Sequence, residues 1–342
     1  MSSQLKVVKV RGHLKNYPWG QKDGLLAFKA DPSAQPQAEL WFGNHPEGPS
    51  ADLATSEVLS SEPEFPLLVK ILAIAKPLSI QVHPSQLFAN ENYAQLALSD
   101  KNGKDEILIA LDTVWAFAGV KQASDRKKIA HRLKLASFEQ DFSIQCSEIF
   151  SFSDQEISER IALLAEIFKN EKENSVFKNL IENYPKDPGV LVAALLEFYE
   201  LEPGEGLHVP PGCPHEYLKG KAIEVMTNSD NVFRMGLTNK PIDRKNALLV
   251  LTDDVVEKFS SGVEYKPKSN FEVKLFEDTV VELISNSYQA MLCLAGTARI
   301  EIADGEHTLV PGEALLVSGA ATAKATINGR VSVAIHKEDG RL

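Results

Sequence analysis

Pro66, Pro77 and Pro84 cut the apolar run FPLLVKILAIAKPLSIQVHP, residues 65–84, into short extended pieces. Pro and Gly divide the β-rich stretches LKVVKV and EILIALDTVWAFAG in the same way, so residues 1–115 read as the short strands of a sandwich or barrel. The period then changes. In DQEISERIALLAEIF, residues 154–168, Ile157, Ile161, Leu164 and Phe168 fall at helical spacing behind a Ser153–Glu156 capping box. Residues 121–200 are therefore expected to be a helical insertion, closed by a last helix in DPGVLVAALLEFYE. From LEPGEGLHVPPG onward the pattern is β again, and Asp304-Gly305 and Asn328-Gly329 each sit between alternating runs as hairpin signals. The expected fold is mainly β with a helical insertion.

An internal echo supports a repeated module. LEPGEGLHV at 201–209 matches LVPGEALLV at 309–317 in the frame L-x-PGE-x-L-x-V. Either this is a chance match of a common turn, or two copies of one barrel each turn a corner at PGE. The second copy carries no histidine, so only the first would hold chemistry.

A chain of 342 residues with 44% hydrophobic content can bury two or three compact units. Its net charge of −11 argues against nucleic acid or an anionic membrane surface as the main partner. A phosphorylated substrate would need a local basic pocket. Cys146, Cys213 and Cys293 are too few and too scattered for a disulfide framework and fit a reducing compartment. The start MSSQLKVVKVRGHLKNY has no apolar core of a secretory signal, and no apolar run nears the ~20 residues that span a bilayer. A soluble cytoplasmic setting is expected.

The polar groups offer alternatives. In SIQVHPS, extended geometry puts Ser79, Gln81 and His83 on one face and Ile80 and Val82 on the other, and Pro84 favours that geometry at His83. The polar face is either solvated or turned into a barrel. Glu106, opening the apolar KDEILIAL, is either a solvated edge residue or an interior ligand. In LHVPPGCPHEY, residues 207–217, His215 and Tyr217 share a strand face, and GKAIEV adds Glu224 on what should be the paired strand. Cys213, with Pro214 beside it and no second cysteine near, reads as a small packed residue. Arg234, in IEVMTNSDNVFRMGLTNK, either pairs with Asp230 or holds an anion, for which a planar guanidinium is suited. Two histidines, a glutamate and a glutamine oxygen could serve zinc, but such scattered groups leave the metal open by spacing alone.

Five segments in order carry a family resemblance: NYPWG at 16–20, AELWFGNHPEGPS at 38–50, KILAIAKPLSIQVHP at 70–84, KDEILIAL at 104–111, and PHEYLKGKAIEVMTNSDNVFRMGLTNK at 214–240. By these the chain resembles type I phosphomannose isomerase, a zinc enzyme of the cupin superfamily. The resemblance implies two cupin (jelly-roll β-barrel) domains plus an α-helical domain. Residues 1–120 and 201–245 would form the catalytic cupin, 121–200 the insertion, and 246–342 a C-terminal cupin without metal ligands. It implies one zinc ion per chain on Gln81, His83, Glu106 and His215, with Arg234 as the catalytic arginine. Substrate contacts are implied for Lys70, Ser79, Tyr217, Glu224, Lys240 and Trp19. His208 has no matching role, since family members carry an apolar or aromatic residue there.

The implied reaction moves a proton between adjacent carbons of a phosphorylated hexose through a cis-enediol. Such a step needs a base on one face of the sugar and a group to meet the developing oxyanion. Glu224 is the expected base, with Lys240 as rival; Lys70, Ser79 and Lys240 are expected at the phosphate. Two other readings compete: an Fe(II) cupin oxygenase built on two histidines and a carboxylate, and a non-catalytic sugar-binding cupin. A monomer or weak homo-oligomer is expected.

Overall fold

The proline-bracketed run forms the strands Leu67–Ile74 and Ile80–Val82, in a computed structural model that describes residues 6–285 and 287–337. Residues 1–5, part of the start read as lacking a signal, lie outside those described residues. Leu67–Ile74 is buried on both faces. Leu67, Val69, Ile71 and Ala73 enter a core shared with a second sheet, where they meet Ala290, Leu292 and Leu316. The alternate residues Leu72 and Ile74 line the interior of the first sheet with Leu108, Ala116 and Tyr217. A continuous apolar run is what such a two-sided position demands.

Among the described residues the first sheet has eleven strands, and Leu67–Ile74 lies between Glu39–Phe42 and His215–Thr227. The second has eight, dominated by the long strands Phe271–Ser285, Tyr288–Ile302 and Ala321–His336. Among the described residues seven α-helices accompany these strands, and the fold is mainly β. Helices Ala123–Arg132, Phe142–Ser151, Asp154–Ile167 and Glu173–Asn183 form the body of the insertion. They pack on the outer face of the first sheet through Ile80, Val82 and Phe117. The Ser153–Glu156 capping box is present. No helix among the described residues is long and apolar enough to cross a membrane.

Several local expectations change. Helix Gln86–Leu96, N-capped by Ser85, interrupts the β-rich first part; it buries only Ala89, so its pattern carries no apolar stripe. The expected last helix of the insertion is only Gly189–Ala193, and Leu196–Leu201 instead pairs with Val114–Val120. Every residue from Gly189 to Leu196 is buried, which leaves no periodic contrast to separate helix from strand. His215–Thr227 is one strand rather than two paired ones; it passes through an irregularity at Tyr217/Lys219 and a positive φ of 109° at Gly220.

The sequence-based partition also shifts. Lys6–Arg11, expected with the catalytic unit, pairs with Glu313–Ser318 of the second sheet. Glu257–Phe259, expected in the C-terminal unit, pairs with Gly206–Val209 of the first. Asp304-Gly305 does join two strands. Asn328-Gly329 does not: it lies inside Ala321–His336, where two residues oppose the single Asp278 in a bulge. Gly329 is required there, since a Cβ would lie 2.1 Å from the Ala295 carbonyl oxygen. The two PGE frames share a left-handed glycine, with φ of 87° at Gly204, one residue short of the strand Gly206–Val209, and 81° at Gly312, immediately before Glu313–Ser318.

Phe117 joins barrel to insertion: it is fully buried, with its ring centroid 5.6 Å from those of both Phe177 and Phe198. Phe117→Ala is expected to lower unfolding stability by about 3–5 kcal/mol, measured by denaturant titration. A loss below ~1 kcal/mol would show that the contact does not carry the packing.

Candidate active site

Strand alternation builds the site. Ile80 and Val82 point outward into the helical core, so Ser79, Gln81 and His83 point inward. His215 lies opposite Gln81 across the sheet, and Arg234 lies opposite Gln81 on its other side. Glu106 pairs with Met226 on one flank and Val209 on the other. The result brings ligand atoms of His83, Glu106 and His215 within 4.8 Å of one another. His215 Nε2 is 3.2 Å from Glu106 Oε1, and His83 Nε2 is 3.6 Å from Glu106 Oε2.

Both imidazoles are oriented by backbone carbonyls. His83 Nδ1 donates to Asn231 O at 2.7 Å and His215 Nδ1 to Cys213 O at 3.0 Å, which turns both Nε2 atoms inward as acceptors. His83 Nε2 is buried with no hydrogen-bond partner, and Glu106 Oε2 has only the Lys104 ammonium beside it, at 2.9 Å. Burial, then the Lys104 charge, pushes the His83 imidazolium well below its ordinary range. Burial alone would raise the Glu106 carboxyl, but the Lys104 ammonium and the two histidines hold it well below the usual carboxylate range. Two inward-turned imidazole nitrogens, one of them unpartnered, beside an ionised carboxylate are the donor set that zinc takes. Gln81 stands beside them, with its Nε2 3.2 Å from His215 Nε2 and its Oε1 accepting from Ser79 Oγ at 3.2 Å. A half-turn of the amide would present the oxygen instead.

Above these groups opens a cavity of about 420 Å³. Its wall carries Trp19, Lys70, Ser79, Tyr217, Glu224 and, toward the rim, Arg234 and Lys240. The Tyr217 hydroxyl donates to Glu106 Oε1 at 2.7 Å, and burial, then Glu106, holds its pKa well above the ordinary phenol. Lys70 Nζ pairs with Glu224 Oε2 at 2.9 Å, both buried, across the register that sets them opposite. Burial would lower the Lys70 pKa, but the Glu224 and Glu39 carboxylates hold it above the usual value. At the rim, burial lowers both Arg234 and Lys240, and Arg234 lowers Lys240 further. Asp230 is the largest charge favouring the protonated form of Arg234. Lys76 joins them on the cavity wall, so this acidic chain does hold a local cationic patch.

Sequence reasoning missed Lys104, whose Nζ lies 2.9 Å from Glu106 Oε2. The signal was present: Lys104 and Glu106 are two residues apart, the spacing that shares a strand face. It also missed Glu39, pushed up chiefly by burial, and Tyr17, over whose ring Lys240 Nζ sits at 4.4 Å. Tyr17 lies two residues from the predicted Trp19 and stacks on its ring at 5.8 Å, whereas Glu39 has no spacing relation to the predicted site residues. Cys213 is packed, donates Sγ–H to Asp254 O at 2.9 Å, and burial raises its thiol to about 12. His208 faces away from the ligand set and pairs with Asp105 at 2.8 Å.

The geometry has counterparts among known proteins. Residues 7–123 match the family model of the phosphomannose isomerase type I catalytic domain. The mannose-6-phosphate isomerase of Shigella flexneri is 30% identical over 370 residues, which cover 91% of this chain and 94% of that protein. The crystal structure of the apo form of mannose 6-phosphate isomerase from Salmonella typhimurium is similar with a TM-score of 0.82 at 26% identity, over 97% of this chain and 99% of that one. A mannose 6-phosphate isomerase bound with zinc and yttrium is similar to the same degree, with a TM-score of 0.82, 26% identity and 97% and 100% coverage.

The Lys70–Glu224 pair makes a stability prediction. Lys70→Met would leave Glu224 buried near Glu39 with no cation, an arrangement expected to cost about 3–5 kcal/mol. The double substitution Lys70→Met/Glu224→Gln should cost less than Lys70→Met alone. Denaturant unfolding checks both, and equal losses would show that the two groups do not balance each other.

Proposed function

The chain belongs to the type I phosphomannose isomerase family, and on that premise we propose how its residues divide the work. It interconverts mannose 6-phosphate and fructose 6-phosphate, an aldose–ketose isomerisation, with a metal as cofactor. The relatives give no support to the oxygenase or storage alternatives. We take the cofactor to be one zinc ion, held by His83, Glu106 and His215 with the Gln81 amide oxygen beside them. The observation that carries this reading is the orphaned, inward-turned His83 Nε2 next to Glu106 and His215 beneath a cavity with a cationic rim. When bound, zinc would supply Lewis-acid polarisation of the sugar's carbonyl.

The remaining work falls to the chain's own side chains. The C–H acid is weak, so a positioned base is needed. Glu224 lines the cavity and is oriented by its 2.9 Å contact with Lys70; it takes the proton from C2 and returns one at C1. Arg234 meets the negative charge that develops on the substrate oxygen, a role suited to a half-buried guanidinium. Lys104 and Tyr217 hold the Glu106 carboxylate in place. Ser79 orients Gln81, and Trp19 walls the cavity. The phosphate goes to the rim, to Lys240 and Lys76. Lys70, expected there from the sequence, is committed to Glu224 instead. Three free, buried cysteines fit a cytoplasmic setting, where we place a monomer or weak homo-oligomer.

Glu224→Gln is expected to abolish solvent deuterium exchange at C2 of mannose 6-phosphate while zinc content stays full. Exchange that survives in the zinc-loaded variant would remove Glu224 from the proton transfer.

A further inference from the structure

The loop that carries Lys240 begins at an unusual residue. Strand Phe233–Gly236, which bears Arg234, ends at Leu237, whose φ is +58°. A leucine in left-handed conformation is strained, because its Cβ crowds the backbone. Yet its side chain is buried in the helical core, so the conformation is fixed rather than incidental. Residues 237–240 then run along the cavity wall.

What fixes Leu237 comes from the insertion. Asp187, in the turn between helices Glu173–Asn183 and Gly189–Ala193, accepts the Leu237 N–H on Oδ2 at 2.8 Å and the Gly189 N–H on Oδ1 at 2.8 Å. One carboxylate thus binds two backbone segments 48 residues apart in sequence (237 − 189). The crossing is tight: a Cβ at Gly236 would lie 2.6 Å from Asp187 Oδ1 and 3.0 Å from Gly189 Cα. Arg244 braces the same point: its Nε–H donates to Met235 O at 3.0 Å, and its Nη2 lies 4.0 Å from Asp187 Oδ1. Asn183 and Tyr184, just before the turn, line the same cavity.

We propose that Asp187 is a positioning residue of the isomerase, through which the helical insertion holds Leu237 left-handed and so sets Lys240 at the phosphate end of the cavity. The inference rests on the reading of Lys240 as a substrate contact, and the test separates the two. Steady-state kinetics with mannose 6-phosphate should show KM raised about 10-fold in Asp187→Ala with kcat changed by less than about 3-fold, the pattern of lost uniform binding. Amide hydrogen exchange across 237–240 should speed up in the same variant. In a Leu237→Gly background, where the left-handed conformation carries no Cβ penalty, the Asp187→Ala effect on KM should shrink to about 3-fold or less. A purely structural role would predict no such dependence on residue 237.

KM within about twofold of the parent in Asp187→Ala overturns the proposal. If that variant fails to fold, Asp187→Asn, which keeps one acceptor oxygen, carries the same judgement at smaller amplitude. Lys240→Ala completes the set. A raised KM there with an unchanged Asp187→Ala overturns the clamp alone. An unchanged KM there with a raised Asp187→Ala removes Lys240 from the substrate and overturns with it the link from Asp187 to the phosphate end.

Discussion

A carboxylate with no exposed surface must be surrounded by cations, donors or metal, and the buried Glu106 imposes that demand on the whole first sheet. Lys104 answers it from two residues away, Tyr217 and His215 from the long strand on one flank, and His83 from just past the end of Ile80–Val82, which does not pair with the Glu106 strand. Each of those side chains needs its own strand to face inward. The outward residues therefore have to be covered, and the helical insertion covers Ile80, Val82 and Phe117. The second sheet covers the other side, through the core that Leu67, Val69 and Ile71 share with Leu292 and Leu316. Burial of one charge thus links the barrel interior, the insertion and the second sheet.

Much of this was legible in local pattern. Alternation along Ser79–His83 put the three polar residues on one face, because prolines at both ends favour extended geometry, but it left open whether that face is solvated or turned into a barrel. His215 and Tyr217 followed the same rule. The ligand set itself came from family resemblance, since its members are separated by up to 134 residues (215 − 81) and no spacing joins them. Glu106 shows why: viewed alone it resembled a solvated strand end, and only the distant Tyr217 and His83 make it an interior residue.

What remained illegible was tertiary in origin. Gly189–Leu196 is buried throughout, so tertiary packing rather than periodicity decides where helix becomes strand. Asn328-Gly329 carried the right residues for a hairpin, but the neighbouring strands run on past it and convert the turn into a bulge. The exchange of Lys6–Arg11 into the second sheet has no sequence signature, because any edge of suitable pattern could have received it. Lys70 was identified as a site residue, yet its role depends on the Glu224 opposite it in register, which composition does not reveal.

The account stands on one claim: that His83, Glu106 and His215 form a metal site whose metal the isomerisation needs. Zinc content per chain, measured by elemental analysis in the parent and in a folded His215→Ala variant alongside mannose 6-phosphate isomerase activity, tests it most directly. The account predicts about one zinc per parent chain, almost none in the variant, and activity lost with it. A folded His215→Ala that keeps its zinc, or that turns over substrate without it, would contradict the account.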